Sequence, residues 1–409
     1  MKSIIKKVGF GLLVLLLGFI TLKWDEISLS YHGSQMLKPE NRLKYFQDGQ
    51  EYALTRLINK SSKPYHLKQS DTLITLPDTF MSLDSVISVD DFLENLRYEG
   101  LLVMSRGEIV YEEYWNGLEE SETHILNSIT KSIISIVVGI AIDEGLIGSK
   151  EDIVTKYLPD FKGTWYDNVT IDDCLDMVSG VKWERDIPMM LEFAFRWGWN
   201  LTSPENHLLN LDSWFEPGEQ MVYNSMDPLI VGLVLESVIG DRTISEYINE
   251  KLWEPIGAED DAFFNYLNED DIETTWAGMH ATMRDLAKIG LLFLEKGNWN
   301  GNQIVSETWV NQSFISHRET TKPKIDHSLG WKYDTHGWGY NNYWWIPDDT
   351  NNDEIFGFGL GGQTLYINRS NKLAIVSFRA NPLNLKNVNP DFLDRSMLDF
   401  MQAISSILK

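Results

Sequence analysis

Ile133 to Ile142 is an apolar run interrupted only by Ser135 and Gly139, entered from Leu126-Asn127-Ser128 and closed by Asp143-Glu144-Gly145. A periodic apolar run with Asn127 or Ser128 as N-cap and Gly145 just past its end predicts one helix deep in a core. Upstream, Leu101 to Met104 and Ile109 to Trp115 read as two strands joined by a tight turn at Ser105-Arg106-Gly107-Glu108, and Ser88-Val89-Asp90-Asp91 starts a helix over 90–97. From about 150 to 270 the pattern is mostly helical, with Ile171 to Met177 and Pro228 to Val238 clearest, followed by an amphipathic helix from Arg284 to Leu294. Leu329 to Tyr333, Tyr340 to Ile346, Gln363 to Asn368 and Lys372 to Arg379 read as strands, and Phe392 to Leu408 as a closing helix. Strands at both ends with helices between them predict an α/β chain of the α+β type. A mainly antiparallel sheet built from both termini is flanked by helices and carries an inserted all-helical subdomain over about 150–270.

The N-terminal pattern differs. Lys2, Lys6 and Lys7 precede an uncharged run from Val8 to Leu22, which reads as a secretory signal or a single-pass anchor over residues 1–23 with the lysines left in the cytoplasm. No small-x-small cleavage site follows, because Trp24-Asp25-Glu26 intervene, and this favours an uncleaved anchor and an exported, periplasmic or extracytoplasmic domain. Residues 24–98 read as an N-terminal extension wrapping a domain over 99–409.

Composition narrows the chemistry. A chain of 409 residues with 43% hydrophobic content buries a large core. Its net charge of −25 argues against nucleic acid as a partner. The one cysteine, Cys174, excludes an internal disulfide or a zinc knuckle, and no metal or cofactor is expected.

Ser128 and Lys131 lie three residues apart at the start of the long helix, so the amine reaches the hydroxyl. A serine hydroxyl needs an adjacent base to become a nucleophile, and a lysine whose pKa is lowered by burial can be that base. The helix N-terminus favours the negative charge that develops. Ser-x-x-Lys also occurs at Ser3/Lys6, Ser179/Lys182 and Ser406/Lys409, but only Ser128 opens a long buried helix. Substitutions at Ser179 and Ser406 are therefore expected to be catalytically silent. Gly357-Phe358-Gly359-Leu360-Gly361-Gly362 satisfies a dinucleotide fingerprint, yet the next residues alternate like a strand rather than opening a helix. A glycine-rich turn entering a strand serves better as a close backbone approach to substrate. Arg185 to Asn200, with Trp197 and Trp199, is rich in large apolar side chains and is a candidate substrate wall.

Ser128-x-x-Lys131, then Tyr223-Asn224-Ser225 after Pro217-Gly218, then the glycine-rich stretch 357–363, occur in the order seen in one superfamily. From about Leu101 to Leu408 the chain resembles the serine β-lactamases and penicillin-binding proteins, in the class C-like branch that includes esterases and aminohexanoate-dimer hydrolases. Lys156-Tyr157-Leu158-Pro159, Met177-Val178-Ser179-Gly180 and Thr282-Met283-Arg284-Asp285-Leu286 support the likeness. The resemblance implies a β-lactamase/transpeptidase-like fold and a small-molecule ester or amide substrate. It further implies Ser128 as acylated nucleophile, Lys131 as general base and Tyr223 as proton relay, with the backbone N–H groups of Ser128 and Leu360 as oxyanion donors. Ser225, Gly359 and Gly361 would line the substrate site. Two departures stand out: Ser225 occupies the usual asparagine position of the second motif, and the third motif is neutral. The missing cation disfavours β-lactams, which present a carboxylate. The competing expectations are a true β-lactamase or D-alanyl-D-alanine peptidase, and a binding or sensor protein that keeps the fold without turnover.

Overall fold

The computed structural model describes residues 17–36, 38, 40–182, 203–267, 273–317, 337–348, 350–380 and 390–408. Its centre is an eight-stranded sheet. In spatial order the strands are Gly339–Asn341, Trp344–Ile346, Glu354–Phe358, Thr364–Asn368, Leu373–Arg379, Tyr98–Ser105, Glu108–Tyr114 and Lys68–Gln69. Every pairing is antiparallel except the last, where Lys68–Gln69 runs parallel to the start of Glu108–Tyr114. The chain is thus an α+β protein whose main sheet joins strands from both ends of the sequence. Tyr98–Ser105 is buried along its whole length, the signature of a central strand covered on both faces. A second sheet, ordered Leu54–Ile58, Ala262–Tyr266, Met279–Ala281, His124–Ile125, brings the residues just before Ser128 under the body of the domain.

The apolar run folds as the helix Ile129–Asp143, buried at every position from Ile129 to Ala141. A helix apolar on all sides belongs inside a core. Each large side chain it buries contributes roughly 1.5–3 kcal/mol, so its position is set by packing rather than by its cap. Gly145, at φ +73°, ends it. The helix Met283–Leu294 packs on the central strands, and the closing helix Pro390–Ser406 packs on the hairpin formed by Thr79–Ser82 and Ser85–Ser88.

Three strand readings change. Tyr340 to Ile346 is not one strand but a hairpin turning at Asn342 and Tyr343, both with positive φ (48° and 61°), the turn geometry that matches strand twist. Glu354–Phe358 is a strand that ends within the glycine-rich stretch, and Ala262–Tyr266 is a strand at the end of a region that reads as helical. The Leu329 to Tyr333 reading lies outside the described residues. Among the described residues, no helix is long and apolar enough to cross a membrane, and residues 1–16 of the N-terminal run are not among them.

Candidate active site

Ser128 stands at the N-cap position of the buried helix with helical backbone angles, and its hydroxyl makes no capping bond. It meets Lys131 instead: Lys131 Nζ lies 3.0 Å from Ser128 Oγ. Lys131 is only 2% exposed; its Nζ also donates to the Trp276 carbonyl at 2.6 Å and sits 5.2 Å from the centre of the Tyr223 ring. A buried amine is costly unless its hydrogen-bonding capacity is used, and these contacts use it beside the half-buried serine. The structure therefore brings Ser128, Lys131 and Tyr223 together.

The serine is presented by a sharp backbone turn. Asn127 has φ +47°, a conformation asparagine tolerates better than most residues. Its Nδ2 donates to the Leu360 carbonyl at 2.6 Å and to Gln363 Oε1 at 3.2 Å. That clip holds the glycine-rich turn next to Ser128. The turn closes on itself through Gly359 N–H to the Gln363 carbonyl at 2.8 Å and Gly362 N–H to the Gly359 carbonyl at 2.9 Å. Gly361 and Gly362 both have φ +107°, closed to L side chains. A Cβ at Gly361 would lie 2.4 Å from the Phe46 ring, and one at Gly362 would lie 2.2 Å from Arg379 Nε. Leu360, at the tip, is exposed. Among the described residues, neither Ser128 nor Leu360 donates its backbone N–H to a backbone carbonyl. The glycines lead into the strand Thr364–Asn368, so no helix N-terminus awaits a pyrophosphate.

Tyr223 lies on the loop before the helix Met226–Val238, its ring stacked on Trp345 (5.5 Å, 26°) and edge-on to Tyr340 (5.9 Å). Ser225 takes the N-cap position of that helix without a side-chain cap bond. The working residue of the loop is its neighbour. Asn224, 2% exposed, accepts from the N–H groups of Met226 and Asp227 (2.8 and 2.7 Å) and donates to the Val222 carbonyl and to Asp227 Oδ2 (both 2.8 Å). Asp227 in turn accepts from the Ser179 hydroxyl at 2.6 Å. Loss of the Ser179 hydroxyl would strip a hydrogen-bond partner from this buried carboxyl. Sequence reasoning missed Asn224 and Asp227. The available signal was an asparagine three residues before an acid at a helix start, a capping pattern in its own right. Asn127 and the Trp276 carbonyl had no such signal, since their roles exist only through tertiary contacts. Trp197 and Trp199 lie outside the described residues.

Burial pushes the Asp227 carboxyl up to about 7, with the Ser179 and Asn224 hydrogen bonds pulling the other way. Its folded value exceeds its ordinary 3.8, so the folded protein holds this proton more tightly. Stability from this group is fully present at pH below about 4 and is lost as the pH rises to about 7. Asp227→Asn removes the ionisation, so the stability of the native protein relative to this variant should fall between pH 4 and pH 7 and level off above. Urea midpoints of both proteins across that range test this; a constant difference would contradict it.

A further trio, Asp172, Asp176 and His317, brings potential metal ligands within 4.8 Å of one another. Lys150 Nζ is already 2.6 Å from Asp172, so the trio is charge-balanced in part without a metal ion.

Comparison with known proteins places the chain in a family. Residues 89–381 match the family model described as Beta-lactamase. The chain belongs to the beta-lactamase family. Within it, the chain is similar to a 6-aminohexanoate-dimer hydrolase of Paenarthrobacter ureafaciens, 26% identical over 300 residues that cover 71% of this chain and 74% of that one. Among solved structures it resembles a Bacillus anthracis protein provisionally named a 6-aminohexanoate-dimer hydrolase, with 22% identity and a TM-score of 0.77, covering 91% of this chain and 96% of the other. It also resembles a family VIII carboxylesterase, with 18% identity and a TM-score of 0.59, covering 77% and 95%. The last two likenesses carry the fold. Family membership makes this beta-lactamase homologue a serine hydrolase.

Proposed function

We propose that the protein hydrolyses a small neutral ester or amide through an acyl-enzyme on Ser128. The observation that carries this reading is the 3.0 Å contact between Lys131 Nζ and a serine hydroxyl that is not spent on capping its helix. Ser128 Oγ attacks the substrate carbonyl carbon while its proton passes to neutral Lys131 Nζ. The tetrahedral oxyanion is stabilised by the N–H groups of Ser128 and Leu360. Collapse breaks the bond to the leaving oxygen or nitrogen, which receives the proton by way of the Tyr223 hydroxyl. Water then attacks the acyl carbon, gives its proton to the same base, and the carboxylic acid leaves with Ser128 restored. A fluorophosphonate probe separates this reading from a silent binding protein, because only an activated serine is labelled.

Substrate neutrality is supported by the uncharged surroundings of Tyr223 and the glycine-rich turn. Trp345 stacks on Tyr223 and faces Phe356 across the strand pair that leads to the glycine turn, and the stretch Phe356 to Gly359 carries no charge. The nearby cation, Arg379, is 1% exposed, donates to the Gly362 carbonyl at 2.9 Å and lies 5.2 Å from the centre of the Tyr98 ring, so it is held beneath the turn. A substrate carboxylate would forgo a charged hydrogen bond of about 1.5–3 kcal/mol. A chromogenic short-chain ester should therefore show a higher kcat/KM than a chromogenic cephalosporin; the reverse order would overturn the neutral-substrate assignment.

The lysines at 2, 6 and 7 and the uncharged run from Val8 to Leu22 support an exported enzyme held at the inner membrane by its N-terminus. Leu17, Phe19, Leu22 and Trp24 are exposed, as expected of side chains whose partner is lipid. Cell fractionation should find the full chain in the membrane fraction and accessible to protease from the outer face; recovery in the cytosol would refute export.

A further inference from the structure

The N-terminal helices Arg42–Gln47 and Gly49–Tyr52 precede the residues that match the family model, yet they pack against both parts of the chain that would hold the oxyanion. Phe46 is 3% exposed and forms a small apolar cluster with Ile125 and Ala380. Ile125 lies three residues before Ser128 on the strand that delivers it. The Phe46 ring also lies against Gly361, so closely that a Cβ there would meet it at 2.4 Å. Its edge meets the His124 ring at 5.7 Å, and His124 stacks on Phe378 at 4.6 Å. Polar contacts fix the helix in this position. Gln47 Nε2 donates to Glu99 Oε2 at 2.7 Å and to the Asn116 carbonyl at 3.2 Å, and that Glu99 oxygen lies 3.5 Å from His124 Nε2. The next helix begins at Gly49, which abuts the His280 ring, and His280 pairs with Ile125 across the second sheet.

We propose that Phe46 is a positioning residue for the oxyanion site, a proposal that rests on the acyl-enzyme reading above. A glycine-rich turn with two residues at φ +107° has little intrinsic preference for one conformation, since glycine visits many. Asn127 pins the turn at the Leu360 carbonyl, but the Leu360 N–H is aimed by the rest of the loop. The Phe46 ring fills the space behind Gly361 and at the same time packs on the strand leading to Ser128, so one side chain sets the separation of the two N–H donors. Oxyanion donors act through their placement, and the benefit grows as charge develops. Losing the ring should therefore lower the rate of acylation more than the binding of substrate.

The test uses the full chain with Phe46→Ala, Phe46→Met and Ser128→Ala, assayed on a chromogenic short-chain ester below the melting temperature of each variant. Phe46→Ala is expected to lower kcat and the rate of fluorophosphonate labelling by about tenfold or more, the scale of a small donor misplacement. KM should stay within about twofold, because ground-state binding is spared. Phe46→Met, which fills much of the volume without a rigid ring, should fall between the two and remain folded. Wild-type kcat in Phe46→Met together with a kcat loss below about threefold in Phe46→Ala would overturn the proposal, as would a rise in KM at unchanged kcat. If Phe46→Ala does not fold, Phe46→Met decides alone, its kcat falling or holding. Activity retained in Ser128→Ala would instead refute the acyl-enzyme reading, so the two failures are distinguishable.

Discussion

Ser128→Ala is expected to lower kcat for a short-chain ester by about 10⁴-fold or more while leaving the fold intact, since removal of a nucleophile abolishes the covalent route altogether. The fold survives because the hydroxyl's partner, Lys131 Nζ, keeps its hydrogen bond to the Trp276 carbonyl. The hydroxyl makes no capping bond, and the helix behind it is buried from Ile129 to Ala141. The change in unfolding free energy should stay below about 1 kcal/mol, the usual scale of a lost cap. Ser406→Ala is the matched control, because that serine is exposed at the end of the closing helix and donates only to the Ala403 carbonyl. Ser179→Ala is not a control, since it acts on Asp227. Turnover in Ser128→Ala within tenfold of the native rate would exclude the serine as nucleophile.

Lys131→Arg is expected to lower kcat by about 10²- to 10⁴-fold, the range attributed to general bases. A guanidinium stays protonated at any working pH and cannot accept the serine proton. It must also fit a buried slot between Ser128 Oγ, the Trp276 carbonyl and the Tyr223 ring, shaped for an amine. In the native enzyme, acylation should decline on the acid side as the neutral amine is lost. An arginine variant of near-native rate would move the base to Tyr223.

How much of the fold and site was legible in the sequence depended on whether a residue's role is local. The helix that Ser128 opens was legible because its apolar run, polar entry and terminal glycine all agree, and because Lys131 reaches Ser128 within one helical turn. The central strands Tyr98–Ser105 and Glu108–Tyr114 carried the same internal agreement, with Arg106-Gly107 as their turn. Glu354–Phe358 was not legible, since Gly357 interrupts its alternation where the strand passes Ser132 and Ile129 of the helix. Asn342-Tyr343 hid a hairpin because neither residue is the glycine that such a turn favours. In the site, the motif spacing points to Ser225, whereas the role of Asn224 is visible only in the bonds it accepts from the Met226 and Asp227 N–H groups. Phe46 gave no signal, because an aromatic in a polar extension acquires its role only when the chain folds back on Gly361.

The central claim is an acyl-enzyme on Ser128, and intact-mass spectrometry after a fluorophosphonate or a slow ester substrate tests it most directly. The expected result is a single adduct per chain, located by peptide mapping on Ser128, absent in Ser128→Ala and slow to form in Lys131→Arg. An adduct on another residue, or continued ester turnover with the native protein fully unlabelled, would contradict it.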